Sequence, residues 1–306
     1  VIDDITPLHQ LSRSVASSDT WFFKPRNTYR LGGGGGFGAP ANAGQNPPNG
    51  VVFRYYFKDT PDTSSVSIKI LEADGSLIRE YNTEDENASE RVAINKGNNQ
   101  FVWNMRYPNA EGFQGLIMWG GSLTGPRAVP GNYKARLIAG DDSTTVDFEI
   151  LKDPRSSATQ ADLQAQFDYL LEIRDKLTET HASIKQIREI RSQVNEILTR
   201  VKSREDAEEV RTTGKEMLEK FSTVEKSLYQ TRNRSGQDPL NYPIRLNNKL
   251  AAVASVASRG DSRPTKQSIE VRDELTAKIK IELDAHNSLL ENELPAFNKL
   301  VRDLAI

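Results

Sequence analysis

Cysteine is absent from the 306-residue chain, which excludes disulfides, thiolate metal sites and cysteine nucleophiles while leaving the compartment open. Histidine is nearly absent as well. Only His9, His181 and His286 occur, and none belongs to a His-Glu-x-x-His or Glu-x-x-His pattern, so the ligands for a metal centre fall short. No apolar run approaches the roughly 20 residues needed to cross a bilayer. Charge of one sign is lacking too: 40 basic residues nearly cancel 42 acidic ones. No bulk field therefore draws nucleic acid or an anionic membrane. An initiator methionine, a basic leader and an apolar leader core are also missing. Val1 starts inside the strand-like run Val-Ile-Asp-Asp-Ile, so the chain reads as a fragment whose targeting signal lay upstream.

Three textures follow one another. Residues 1–50 end in a glycine tract, Gly32 to Gly38, followed by Pro40, Pro47 and Pro48. Such a tract buries too little side chain to offset its backbone entropy and reads as a linker. Residues 51–152 read as β. Val51 to Phe57 is a dense run of β-formers, Val66, Ile68 and Ile70 alternate with polar residues, and Ala73 to Ser76 makes a turn back into Leu77 to Tyr81. Further strands are expected over 100–104, 132–139 and 144–151, giving a sandwich.

From Ala158 to Lys202 there is neither glycine nor proline, and Leu163, Phe167, Leu170, Leu177, Ile184, Ile187, Val194, Leu198 and Val201 keep a helical stripe. Unbroken, that helix is about 65 Å long at 1.5 Å per residue. Ser203 and Asp206 approximate a capping box for a second helix, in which Val210, Met217 and Val224, and Gly214, Phe221 and Leu228, form a seam. A shorter helix opens near Pro243 and stops at Gly260. The last begins near Pro264, and Pro295 is expected to kink or break it. The fold class expected is an antiparallel β-sandwich (51–152) followed by an antiparallel bundle of three long helices and one short one (153–306).

Signals for chemistry are weak. Gly33, Gly35 and Gly38 spell G-x-G-x-x-G, but Pro40 follows where a dinucleotide fingerprint needs a helix, and no phosphate-binding lysine is present. His181 and His286 lie on apolar stripes and read as hydrogen-bonded interior residues. The carboxylates Asp3, Asp4, Asp59, Asp62, Asp74, Asp141 and Asp142 cannot be paired across a cleft from sequence, and those in turns serve backbone donors. Asn87 and Asn233 each begin an Asn-x-Ser triplet, a pattern common by chance. The charged helix faces read as solvated surface. Among the aromatics, Trp103 reads as core. Trp119, Tyr107 and Phe113 are the candidates for contacting a ligand or a neighbouring domain, Trp119 foremost. No catalytic, cofactor-binding or metal-ligating residue is assigned, and no cofactor is expected.

Two resemblances add to this reading. Val66 to Ile70, Asp74-Gly75, Ile78-Arg79, Asn99 to Asn104 and Val129 to Tyr133 resemble the immunoglobulin-like module of flagellar hook-capping proteins. The order of Val1 to Leu8, Phe23-Lys24-Pro25-Arg26, the β region, Asn241 to Leu250 and Arg263-Pro264-Thr265 resembles the C-terminal region of large exported bacterial proteins. Their N-terminal part is a sortilin-like or sialidase-type propeller with BNR repeats, from which they are often called glycosyl hydrolases. That resemblance implies that residues 1–8 are a last propeller strand and that the upstream propeller is a partner within the same parent chain. It also implies a secreted, periplasmic or cell-surface location. The chain itself is then expected to be a non-catalytic accessory region. The alternatives are a carbohydrate-binding module using exposed aromatics, and a metal-dependent or glycoside-cleaving enzyme.

Overall fold

The computed structural model describes residues 4–32, 47–62 and 65–304, so Val1 to Asp3 and the G-x-G-x-x-G at Gly33, Gly35 and Gly38 lie outside the described residues. The fold is mixed, with two sheets and several helices, and it divides into two compact units. One comprises the chain up to Pro108 together with Pro126–Phe167. The other comprises Asn109–Gly125 together with the chain from Asp168 onward.

In the first unit, two short helices, α1 (Thr6–His9) and α2 (Arg13–Ser17), precede β1 (Thr20–Phe22) and β2 (Thr28–Arg30). There follow β3 (Val51–Phe57), β4 (Val66–Glu72), β5 (Leu77–Asn82), β6 (Gly97–Trp103), β7 (Gly131–Ala139) and β8 (Asp142–Lys152). One sheet has the order β1-β3-β6 and the other β2-β8-β7-β4-β5. Alternation decides which faces are buried. Val51, Phe53, Tyr55 and Phe57 point inward from β3, and Val66, Ile68 and Ile70 from β4. Leu71 is buried next to Ile70 because the register with β5 shifts between them, a bulge that turns two successive side chains inward.

The two sheets share one core. Phe53 of one and Phe148 of the other meet edge to face at 5.3 Å, and Trp103 lies 6.0 Å from Phe148 while its indole N–H donates to the Arg106 carbonyl. The turns follow from sequence. Asp74 accepts from the Ser76 N–H and hydroxyl, and the two-residue β7–β8 loop opens with Gly140 at φ 61°.

Three expectations are corrected. The strands are not all antiparallel, because β2 pairs with β8 in parallel through Thr28–Ile150, Tyr29–Leu151 and Arg30–Lys152. A connection that leaves one sheet after β1 and enters the other at β2 need not reverse direction as a hairpin must. Residues 20–30, where no strand was expected, supply strands to both sheets: three residues suffice to pair with a neighbour but are too short to display a period. Thr6 to His9 is helical rather than a strand, with Pro7 in the first turn, where its missing N–H costs nothing.

The second unit is helical. It contains most of α3 (Gln160–Arg200), whose first turns belong to the first unit, then α4 (Glu208–Leu228), α5 (Leu246–Ala257), α6 (Lys266–Ser288) and α7 (Leu294–Asp303). One core joins Ile173, Leu177, Ile184, Ile187 and Val194 to Val210, Met217, Phe221 and Leu228, with Leu250, Ile279, Leu283 and Phe297. Gly214 sits where a Cβ would lie 2.9 Å from both Leu198 Cδ2 and Phe297 Cε2, so the seam needs glycine for its close approach. Ser203 and Asp206 do not form a capping box. Asp206 is held by the Arg204 guanidinium at 2.7 Å, and a 3-10 turn over Glu205–Ala207 leads into α4 instead. Pro295 does not break the last helix. The turn before it, Leu289–Glu293, widens to a π-turn in which the Leu294 N–H bonds the Leu289 carbonyl, and α7 then continues. Among the described residues no helix is long and apolar enough to cross a membrane.

Candidate functional site

The segment 109–125 leaves the first unit between β6 and β7 and is built into the second. Its own closure is short: the Ala110 N–H bonds the Leu123 carbonyl and the Gly125 N–H bonds Asn109 Oδ1. What fixes it is a set of buried polar side chains from the helices. His181 on α3 is fully buried. Its Nε2 faces the Asn247 amide nitrogen at 3.1 Å, an obligate donor, so Nδ1 carries the proton and donates to the Glu111 carbonyl at 2.6 Å. Burial holds the His181 pKa below the usual imidazole value, with Lys185 adding to the effect and the bond to Glu111 opposing it.

Asn248 grips both main-chain groups of Trp119, accepting its N–H and donating to its carbonyl, each at 2.8 Å. The Tyr229 hydroxyl accepts from the Ile117 N–H and donates to the Gly115 carbonyl, both at 3.2 Å. A Cβ on Gly121 would stand 2.8 Å from that of Ala251, so this stretch reaches α5 only as glycine.

The three candidate aromatics separate. Tyr107 stays in the first unit, its ring 4.7 Å from Phe167 and its hydroxyl on the Glu72 carboxylate. Burial, then the nearby Asp74 charge, raises the Glu72 pKa. Phe113 is enclosed by His181 (5.2 Å) and Tyr229 (5.0 Å), with the Arg188 guanidinium 4.5 Å from its ring centre. Trp119 keeps 43% of its surface exposed while its backbone is clamped. The aspartates do not converge: Asp59 pairs with Lys96, Asp4 caps the Thr6 N–H, and Asp74 serves its own turn. His286 is buried beside Phe221, but neither ring nitrogen has a hydrogen-bond partner, contrary to the expected hydrogen-bonded histidine. Its ring centre lies 6.0 Å from that of Phe221. Among the described residues no three His, Asp or Glu side chains stand close enough to share a metal ion.

Beside Tyr229 the same segment borders a cleft of about 650 Å³, lined by Gly115 to Ile117 and by Arg188, Arg191, Glu225, Asn233 and Arg234. The Glu225 side chain is only 3% exposed. Its oxygens receive Arg188 Nε at 2.8 Å and Arg191 Nη2 at 2.5 Å. Arg188 Nη1 also donates to the Gln114 carbonyl. None of these charged residues was singled out from sequence. One signal was available: Phe221, Val224, Glu225 and Leu228 share a helical stripe, and a carboxylate at such a position needs a buried cation.

No family model matches the chain. No curated protein matches it either. Among solved structures it is similar to CopC from Methylosinus trichosporium OB3b, at 12% identity and a TM-score of 0.20, over 36% of this chain and 81% of CopC. It is also similar to a chain titled pT26-6p, at 11% identity and a TM-score of 0.17, over 83% of this chain and 46% of that one, so it spans about half that protein's length. Likenesses this slight carry no argument.

Proposed function

We propose that the chain is a non-catalytic accessory and interaction region of a larger exported bacterial protein. Its first unit serves as an immunoglobulin-like sandwich, and its second as an antiparallel helical bundle bracing an upstream sortilin-like or sialidase-type propeller. One observation supports the reading: the polar side chains that the helical unit places around segment 109–125 are directed at its main-chain atoms. His181, Tyr229, Asn248 and one arm of Arg188 hold the carbonyls or amides of Glu111, Gln114, Gly115, Ile117 and Trp119. Groups engaged in this way position backbone, whereas catalysis needs them aimed at a reacting atom. The upstream partner and the secreted, periplasmic or cell-surface location rest on the sequence resemblance alone, and fold does not fix function.

Two measurements test this. The reading frame that encodes the chain is expected to continue upstream into propeller repeats. The purified chain is expected to leave a panel of chromogenic glycosides unhydrolysed. Turnover abolished by a single carboxylate substitution such as Glu225→Gln overturns the proposal.

A second reading, carbohydrate binding, is favoured by one observation: the Trp119 ring is exposed while both its backbone groups are clamped, the preorganisation a stacking platform needs. In an affinity screen on polysaccharides, any retained ligand is expected to be lost with Trp119→Ala. Retention unchanged by that substitution rules the ring out.

A further inference from the structure

The first unit carries a hollow of its own, on the outer face of the β1-β3-β6 sheet. Alternation along β3 turns Phe53, Tyr55 and Phe57 inward, and therefore Arg54 and Tyr56 outward. Asn98 of β6 is the register partner of Tyr56, so the two stand side by side on that outer face, with Arg54 two residues further along β3. Residues of α1 and α2 complete the hollow, whose volume is about 760 Å³. Its walls are mainly apolar. Val15 and Phe23 are buried, whereas Leu8 and Leu11 keep 55% and 57% of their surface exposed, an aliphatic pair left facing water. The polar lining divides into spent and unspent groups. Asp4 accepts from the Thr6 N–H, and the Ser12 hydroxyl from the Val15 N–H. Among the described residues, the Arg54 guanidinium, the Tyr56 hydroxyl and the Asn98 amide make no hydrogen bond to the protein. Arg54 and Tyr56 are half-buried and Asn98 is exposed, so all three are within reach of a ligand. Asp4 is the one acid among the described residues that line the hollow, and it attracts Arg26 as well as Arg54.

We infer that this hollow binds an amphipathic monocarboxylate of the medium-chain fatty acid class. The carboxylate takes the fork of Arg54, Tyr56 and Asn98 donate beside it, and the alkyl chain covers Leu8 and Leu11. A guanidinium only donates and is always charged, so the head group it selects is an anion, and its planar fork matches a planar carboxylate. Aliphatic walls suit an alkyl tail, each buried methylene of which contributes about 0.8 kcal/mol. An alcohol of the same length leaves the guanidinium charge unmatched. A short carboxylate leaves Leu8 and Leu11 in water. A predominantly apolar hollow of this size with a few convergent polar groups is the ordinary form of a small-molecule site.

Titration calorimetry of the whole chain with sodium decanoate, decanol and sodium acetate, each below its aggregation concentration, tests this. Decanoate is expected to bind with a Kd of about 0.1 mM or tighter. Decanol and acetate are expected to bind at least about tenfold more weakly, since each lacks one of the two matching parts. Arg54→Gln is expected to weaken decanoate about tenfold, to leave decanol unchanged and to keep the melting temperature, because the guanidinium holds no hydrogen bond in the fold. Asp4→Asn keeps an acceptor for Thr6 while removing the competing charge, and is expected to tighten decanoate about threefold. Five results overturn the inference: no binding of decanoate, decanol binding as tightly, acetate binding as tightly, indifference to Arg54→Gln, or weaker binding with Asp4→Asn. None of these arms involves turnover, Trp119 or the propeller, so their failure leaves the accessory reading standing, and the reverse also holds.

Discussion

Replacing His181 by leucine is expected to destabilise the helical unit by about 2–4 kcal/mol, whereas the same replacement at His286 is expected to stabilise it by about 1 kcal/mol. The two residues look alike in sequence, one histidine on each apolar stripe. Their surroundings differ. Removing His181 leaves the buried Asn247 amide without its acceptor and the Glu111 carbonyl without its donor. Removing His286 strands nothing, because neither ring nitrogen has a partner, and leucine relieves the cost of burying them next to Phe221. Urea denaturation followed at 222 nm measures both. Equal signs for the two variants refute the assignment.

The pH dependence follows from the same pair. Burial lowers the pKa of each histidine below its ordinary value near 6.5. Below pH 6.5 the unfolded chain therefore takes up protons that the folded chain refuses. Stability is full above that pH and is lost as the pH falls through it toward the depressed folded values. His286→Leu is expected to remove one proton's share of this slope between pH 7 and 5. An unchanged slope shows that its imidazole is not neutral in the fold.

Glu225→Ala is the second large effect, an expected loss of about 2–3 kcal/mol. Breaking a buried ion pair costs about 3–5 kcal/mol when the surviving charge is sealed from solvent. Here the surviving charges are Arg188 and Arg191, each about one-third exposed, so water on their outer side reduces the cost. Glu225→Gln keeps an acceptor for one arginine and is expected to lose less than the alanine variant. Comparison of the two midpoints, with calorimetry to confirm that the folded baseline is unaltered, decides it. A loss under about 0.5 kcal/mol for Glu225→Ala would mean that the pair contributes no more than a surface salt bridge.

Sequence periodicity revealed much of the fold and little of the candidate site. Val66, Ile68 and Ile70 alternate because one face of β4 is buried, and α3 runs close to the span its apolar stripe marks, since nothing between Ala158 and Lys202 interrupts a helix. β1 and β2 were illegible because three residues carry no period, and their pairing with β3 and β8 is fixed by distant partners. The placement of 109–125 was illegible for a related reason. Its anchors, His181, Asn248 and Tyr229, act through the main chain, and a main-chain carbonyl has no letter in a sequence. Arg188, Arg191, Asn233 and Arg234 resembled ordinary surface charge or a chance glycosylation triplet until the fold set them around one cleft.

The chain passes from one unit to the other after Pro108, returns after Gly125, and leaves again after Phe167. No single cut therefore separates the two. A truncation beginning at residue 153 would produce helices that lack the carbonyl to which His181 donates and the ring Arg188 covers. During synthesis, residues 109–125 emerge well ahead of Tyr229 and Asn248, and they must wait for the ribosome to deliver the side chains that will secure them. The helical half thus completes itself around a segment made before any of its own helices.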